Sequence, residues 1–293
     1  MLASSVVRLT ARMFPGLVRF AIASSSKTEP AGNLARHWMM EELVPRLFPS
    51  GFPIRLDGID VLVHPAARRY YLNNFEPLCR KAFREALHDG ARVLDVGSNA
   101  GVYARIAAEA VGRSGAVFAV EPSPVNLPIL HRNVARCENV TVIPVAASDR
   151  NTSFTFFLSE DTLNDAISEG PYKATVGTTR VDARPLDDVI EPPIDLIKMD
   201  VQGHEPEALK GLARTIQQSP GVKILIEWSP ACLVASKHPP DAVPRLLSEF
   251  GFNVVQVIPH EELGYTTIEA AYQFLRDNPQ TTAYWNVVAA KAA

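Results

Sequence analysis

The amino-acid sequence predicts an α/β protein: a doubly wound, mostly parallel sheet with an N-terminal extension. Three observations predict it. From Val93 onward, short apolar runs alternate with segments whose apolar residues recur every three to four positions, the pattern of strands covered on both faces and helices apolar on one. The first run passes directly into a glycine turn and then a helix, a strand-turn-helix unit. Acids stand at or near the ends of four runs, Asp95, Glu121, Asp200 and Glu227, and the carboxyl edge of an open parallel sheet is where ligand-binding groups gather. With 293 residues, 47% hydrophobic and 21% charged, the chain has apolar material for one sizeable core and an appended segment.

The first 28 residues carry Arg8, Arg12, Arg19 and Lys27 and no acid, beside an apolar stripe of Val6, Met13, Phe14, Leu17, Val18, Ala21 and Ile22. Pro15-Gly16 breaks the stripe, and its pieces are too short to span a bilayer or to form a signal-peptide core. A loosely attached tail and a weak membrane-surface contact both fit this stretch. Ile54 and Leu56, an Asp57-Gly58 turn, and Ile59, Val61 and Val63 predict a hairpin. Asn74 is placed to cap a helix with Pro77 in its first turn and Phe75, Leu78, Cys79, Ala82, Phe83, Ala86 and Leu87 on one face. The expected division is residues 1–73 as extension and 74–293 as the ligand-binding domain.

Val93, Leu94 and Val96 form the first buried strand, Gly97 turns the chain, and Gly101 opens a helix carrying Val102, Ile106, Ala107, Ala110 and Val111. Glycine at the turn removes Cβ atoms that would block a ligand's close approach. The turn reads D-x-G-x-N-x-G through Asp95, Gly97, Asn99 and Gly101, without the third glycine of the dinucleotide fingerprint, so an NAD-linked oxidoreductase is disfavoured. A carboxylate before the turn repels a pyrophosphate and attracts an ammonium group. S-adenosylmethionine, with its α-ammonium and sulfonium, meets that description. Ala116 to Val120 is the second strand, and Glu121 beyond it is placed to accept both ribose hydroxyls. The third, Val140 to Val145, leads to Ser148 and Asp149, the latter suited to an adenine amino group.

Thr152 to Leu158 and Ala174 to Val181 predict short strands around a polar loop containing Asn164, an insertion that fits a substrate-shaping element or a plain surface hairpin. Asp187 and Asp188, flanked by Leu186, Val189 and Ile190, predict the cap of a short helix. Strands at Asp195 to Asp200, Val222 to Glu227, Asn253 to Ile258 and Trp285 to Ala290 then alternate with helices at Glu205 to Ile216 and Ala242 to Phe250. A net charge of −3 without a basic block argues against phosphate-backbone binding, so no nucleic-acid partner is expected. Cys79, Cys137 and Cys232 are scattered without metal or disulfide spacing, which suits a cytoplasmic setting.

Seven segments, in order, resemble the FkbM family of S-adenosylmethionine-dependent methyltransferases. They are FEP at Phe75–Pro77, VLDVGSNAGVY at Val93–Tyr103, AVEPSPVN at Ala119–Asn126, VAASD at Val145–Asp149, LDDVI at Leu186–Ile190, DLIKMDVQGHEPEALKG at Asp195–Gly211 and ILIEW at Ile224–Trp228. The resemblance implies a Rossmann-like methyltransferase fold, S-adenosylmethionine as cofactor, and methyl transfer to a hydroxyl of a small molecule, sugar or natural-product scaffold. It also implies a cofactor contact for Asn126, whose alternative is a helix-turn hydrogen bond. The family usually has Glu after the aspartate-valine pair, where this chain has Gln202. That departure keeps open a non-catalytic module binding S-adenosylmethionine or S-adenosylhomocysteine.

Lys198 and Asp200 lie two apart on one strand and so share a side. Asp200 is expected where an acceptor oxygen meets the transferred methyl; its alternatives are orienting the methionine end or capping the next helix. His204 is the second candidate proton acceptor, because an imidazole titrates near neutral pH; otherwise it is an ordinary helix-start residue. Lys198 reads as charge partner to a neighbouring carboxylate, and Tyr103 as packing against the cofactor or within its helix. Asp200 and Glu227 end neighbouring strands, which leaves a magnesium ion lowering an acceptor hydroxyl's pKa as the alternative, but two oxygen ligands make no coordination list and no metal is expected.

Overall fold

The computed structural model describes residues 44–73, 75–169, 171, 174–259 and 266–291. The basic N-terminal stretch and Asn74 lie outside these, and with them the expectations of a membrane contact and an Asn74 cap. The chain divides into two compact units, Met1–Phe75 and Glu76–Ala293. Among the described residues no helix is long and apolar enough to cross a membrane.

In the first unit, α1 (Val44–Leu47) precedes a hairpin of β1 (Phe52–Leu56) and β2 (Ile59–Val63), followed by α2 (Arg68–Leu72). Leu56 pairs with Ile59, and Asp57 and Gly58 between them have φ of 49° and 85°, the signs that a two-residue type I′ turn requires. Phe52, Ile54, Leu56, Ile59, Val61 and Val63 are all buried, as the two-residue side-chain period dictates.

The second unit starts with α3 (Pro77–Ala86), β3 (Arg92–Val96), α4 (Val102–Ala110), β4 (Ala116–Val120), α5 (Leu127–Val134) and β5 (Val140–Ile143). The third strand is shorter than expected. Pro144 cannot donate to a ladder, and the chain leaves the main sheet there. Its continuation, β6 (Ala146–Ala147), pairs with β8 (Thr175–Arg184), and β8 pairs antiparallel with β7 (Thr152–Ser159) in a separate three-stranded sheet. After a 3-10 turn at Leu186–Asp188 come β9 (Leu196–Met199), α6 (Glu205–Lys210), α7 (Ala213–Gln217), β10 (Lys223–Trp228), α8 (Pro230–Ala235), α9 (Ala242–Glu249), β11 (Phe252–Pro259), α10 (Ile268–Asp277) and β12 (Trp285–Lys291).

The long helix expected from Glu205 to Ile216 is two helices, broken at Gly211-Leu212. Asp187 accepts from the amides of Arg214 and Thr215, each at 2.8 Å, and from the Thr215 hydroxyl at 2.7 Å. Its carboxylate therefore serves the start of α7 rather than its own turn. Besides α1 and α2 in the first unit, two helices have no counterpart in the sequence reading: α8, whose Ser229 accepts from Cys232 N, and α10, whose Thr267 accepts from Ala270 N. The latter carries Ile268, Ala271, Tyr272 and Leu275 at helical spacing, with Ile268, Tyr272 and Leu275 packed against the core.

The main sheet has seven strands in the order β11-β12-β10-β9-β3-β4-β5. Strands β5, β4, β3, β9 and β10 run parallel, while β12 enters antiparallel between β10 and β11. Leu94, Val96, Ile197, Met199, Ile224, Ile226, Val287 and Ala289 are fully buried in one cluster, each side chain contributing roughly 1.5–3 kcal/mol for the larger ones. From β3 the chain proceeds to β4 on one side, and from β9 to β10 on the other. The carboxyl ends of β3 and β9 thus meet at the point where connections diverge, the place where open α/β sheets bind ligands.

Candidate active site

At that seam Asp95 on β3 and Lys198 on β9 are register partners, so their side chains leave the sheet side by side. Asp95 is fully buried, and neither carboxylate oxygen makes a hydrogen bond of full geometry among the described residues, although the Ser98 side chain and the Ala104 backbone lie near enough to oppose its burial. Burial pushes its pKa up, against the pull of the Lys198 charge. The chain after β3 crosses the seam closely. A Cβ on Gly97, whose φ is 81°, would fall 1.9 Å from the Asp200 carbonyl oxygen, and one on Gly101, also at 81°, 2.4 Å from Leu130 Cδ1. Protein segments occupy the space that these two glycines vacate.

At the β4 end, Glu121 is buried and held by backbone. Its Oε2 accepts from Asn99 N at 2.7 Å and its Oε1 from Ser123 N at 2.8 Å. Burial raises its pKa to about 7 despite these donors. Asn99 donates through Nδ2 to the Thr162 carbonyl at 2.6 Å, and Asn126 Nδ2 reaches the same oxygen at 3.4 Å. The buried Asn126 Oδ1 has no donor among the described residues. Asp165 accepts from Ser123 Oγ at 2.9 Å and from Ser159 N at 2.8 Å. The insertion after β7 is therefore tied to both loops that frame Glu121.

At the β9 end, side chains do the holding. Asp200 Oδ2 lies 3.3 Å from Lys198 Nζ, and Asp200 Oδ1 accepts from Gln202 Nε2 at 2.8 Å. The same nitrogen donates to Glu227 Oε1, on β10, at 3.2 Å. Tyr103 lies beneath: Lys198 Nζ is 4.9 Å from its ring centroid, and its hydroxyl donates to Glu76 Oε2 at 2.7 Å. Burial first, then the charges of Asp200, Glu205 and Glu76, push Glu227 well above the usual carboxylate range. Glu76 is raised by burial too, with Lys198 opposing. Lys198 stays protonated, because Asp200, Asp95 and Glu76 outweigh its burial.

No side chain caps α6, Asp200 included; Glu205 in its first turn instead grips the turn that precedes it. Glu205 accepts from Val201 N at 3.0 Å and Gly203 N at 2.9 Å, and burial raises it to about 7. His204 faces another way. Its Nε2 is 3.4 Å from Ser148 Oγ, its Nδ1 3.5 Å from Glu207 Oε2, and the Phe154 ring packs edge-on at 5.3 Å. Burial lowers its pKa, with Glu207 opposing. Ser148 also approaches Asp149 at 3.4 Å, and Asp149 pairs with Arg150 at 3.5 Å. Of the two expected proton acceptors, Asp200 joins the β9-end acids and His204 joins the Ser148–Asp149 pair.

The Methyltransferase FkbM domain is matched over residues 95–254, more than half of the chain. The chain belongs to the FkbM methyltransferase family. Hexuronic acid methyltransferase AglP of Haloferax volcanii is 31% identical over 185 residues, 61% of this chain and 70% of that protein. Two solved structures are also similar. A SAM-dependent methyltransferase from Aquifex aeolicus is 17% identical, with 78% of this chain and 98% of that one covered and a TM-score of 0.40. Methyltransferase FkbM from Methylobacillus flagellatus KT is 18% identical, with 76% of this chain and 53% of that one covered and a TM-score of 0.42.

The family's methyl donor is S-adenosylmethionine, and this chain's residues suit it. Asp95 offers a buried carboxylate without a hydrogen bond of full geometry, Asn126 an unmatched carbonyl oxygen, and Glu121 keeps lone pairs beyond those its two backbone donors use. Four participants escaped sequence reasoning. Glu76 stands in the FEP segment, which carried a signal but no role; Glu205 and the bridging by Gln202 depend on a turn with φ of 54° at Gln202. Thr162 had no signal at all, since a carbonyl contact does not depend on the side chain.

Proposed function

We propose that this protein is an O-methyltransferase that moves the methyl group of S-adenosylmethionine to a hydroxyl of a small molecule, sugar or natural-product scaffold. Residues 74–293 form its catalytic domain and 1–73 an extension. The observation that carries this reading is Asp200: a carboxylate beyond β9, bound to Lys198 Nζ and Gln202 Nε2, next to the seam where Asp95 lies buried without a hydrogen bond of full geometry. The bound cofactor supplies an electrophilic methyl group. Asp95, Glu121, Asn126 and Asp149 hold it, with Asn99, Gly97, Gly101, Tyr103 and Ser148 shaping the loops around them. Asp200 receives the proton that the acceptor hydroxyl loses. Burial and the Asp200 charge push Glu227 up, which opposes a second negative charge beside Asp200. Aligning the acceptor oxygen with the S-methyl bond supplies much of the remaining rate.

A glycan or sugar acceptor is supported by the relative whose name gives hexuronic acid as its substrate. The deciding experiment incubates the full chain with labelled S-adenosylmethionine and a panel of sugars, uronic acids and hydroxylated small molecules, and locates the methyl group by NMR. An alkali-stable methyl ether is expected. An alkali-labile methyl ester would move the reaction to a carboxylate, and tight S-adenosylhomocysteine binding without transfer across the panel would favour a binding module. The scattered spacing of Cys79, Cys137 and Cys232 supports a cytoplasmic setting, with surface contact to a membrane confined to the extension.

A further inference from the structure

We propose that Gln202 is a positioning residue whose side-chain amide takes the place of a proton or divalent cation between Asp200 and Glu227, so that this acid pair needs no metal ion. The proposal deepens the reading of Asp200 as proton acceptor and rests on it. Two carboxyl groups brought to one point are reconciled by a shared proton, by a cation, or by a donor with two hydrogens. Here the donor is present. Gln202 Nε2 donates to Asp200 Oδ1 at 2.8 Å and to Glu227 Oε1 at 3.2 Å, and so spends both amide hydrogens on the two oxygens that a bridging cation would have to ligate.

The amide's direction follows from its surroundings. Cys232, on α8, donates its thiol hydrogen to Gln202 Oε1 at 3.6 Å. A flipped amide would aim its carbonyl oxygen at both acids and lose that contact. The backbone is set as firmly: Gln202 has φ of 54°, a left-handed conformation uncommon outside glycine, and Glu205 grips the amides of Val201 and Gly203 on either side of it. The charged and titratable groups facing the pair are Lys198 from β9, Asp95 from β3, Glu76 before α3, Glu205 from α6 and Cys232 from α8. Among them Lys198 is the cation, and it sits on Asp200 Oδ2, away from the oxygen that Gln202 holds. Among the described residues no group of three or more His, Cys, Asp or Glu is arranged to hold a metal; one substitution, Gln202→Glu, would supply the third carboxylate.

The test uses the full chain saturated with S-adenosylhomocysteine, and the probes are Mn²⁺ and EDTA. Wild-type protein should give no saturable Mn²⁺ heat in calorimetry and no change in melting temperature with either reagent. Gln202→Glu, with the same shape and one more carboxylate, should melt several degrees lower relative to wild type at about pH 8 than at about pH 6, and Mn²⁺ should bind it and recover the loss at the higher pH. Gln202→Met, which loses the amide without adding charge, should show a loss that Mn²⁺ does not recover. Saturable Mn²⁺ binding by wild type, or a drop in its melting temperature with EDTA, would overturn the proposal even if neither variant folds. So would a Gln202→Glu variant that keeps the wild-type pH dependence and ignores Mn²⁺. None of these readouts needs a methyl acceptor, so they remain decisive if no hydroxyl in the panel is methylated.

Discussion

Glu121 and Asp200 are both acids beyond the ends of parallel strands in one sheet, yet they are held by opposite means. Glu121 is gripped by two backbone amides, those of Asn99 and Ser123. Asp200 is gripped by two side chains, those of Lys198 and Gln202. Backbone donors come with the turn that makes them and cannot be exchanged by substitution. Side-chain donors can be exchanged one residue at a time, which leaves the acceptor end of the site adjustable while the cofactor end stays constant. The two ends meet where Gly97 lies under the Asp200 carbonyl.

That junction should yield the largest effect. Gly97→Ala must fit a Cβ where the Asp200 carbonyl oxygen is 1.9 Å away, at a backbone angle costly for any other residue, and we expect a loss of more than about 4 kcal/mol in urea unfolding. A melting temperature equal to wild type would mean that the two ends are not packed together. Asp200→Asn comes next: turnover should fall on the order of 10² to 10⁴-fold with S-adenosylhomocysteine affinity nearly unchanged. Comparable losses in both would erase the distinction between the ends.

Glu121→Gln probes the backbone-held end in two ways. Cofactor affinity should weaken by roughly 1–3 kcal/mol, as unmatched ribose hydrogen bonds would require. The ligand-free protein should also change its pH response. Glu121 and Glu205 are both raised to about 7 from 4.5, so they bind protons more tightly folded than unfolded. Their contribution favours the folded state fully below about pH 4.5 and is lost as pH rises through 7, by up to about 3 kcal/mol each. Glu121→Gln should remove its share of that slope, and an unchanged slope between those limits would deny the group its raised pKa. The smallest effect belongs to Tyr103→Phe, which deletes the hydroxyl bound to Glu76. It should cost about 1 kcal/mol of stability and leave cofactor affinity alone; weakened binding would move Tyr103 from the Asp200 end to the cofactor.

The difference between the ends also governs what could be read in advance. The strand of Val93, Leu94 and Val96, the turn through Gly97 and Gly101, and Glu121 after Val120 are local patterns, since a strand, its turn and its terminal acid are consecutive in sequence. The sequence alone therefore determined the alternating α/β architecture, the glycine turn after β3 and the family resemblance. It also marked Asp200 and Lys198 as neighbours on one side of a strand. Only the tertiary structure decided that Glu205 holds the turn before α6 while Asp200 caps nothing there, that His204 turns to Ser148 and Glu207, and that Asp187 serves α7. It also decided that Gln202 joins acids from two strands and that the space beside Gly97 is filled by the Asp200 carbonyl. Each of these is a contact between segments distant along the chain, and a hydrogen bond of about 3 Å depends on where two backbones meet in space, which neither the period nor the spacing of either segment encodes.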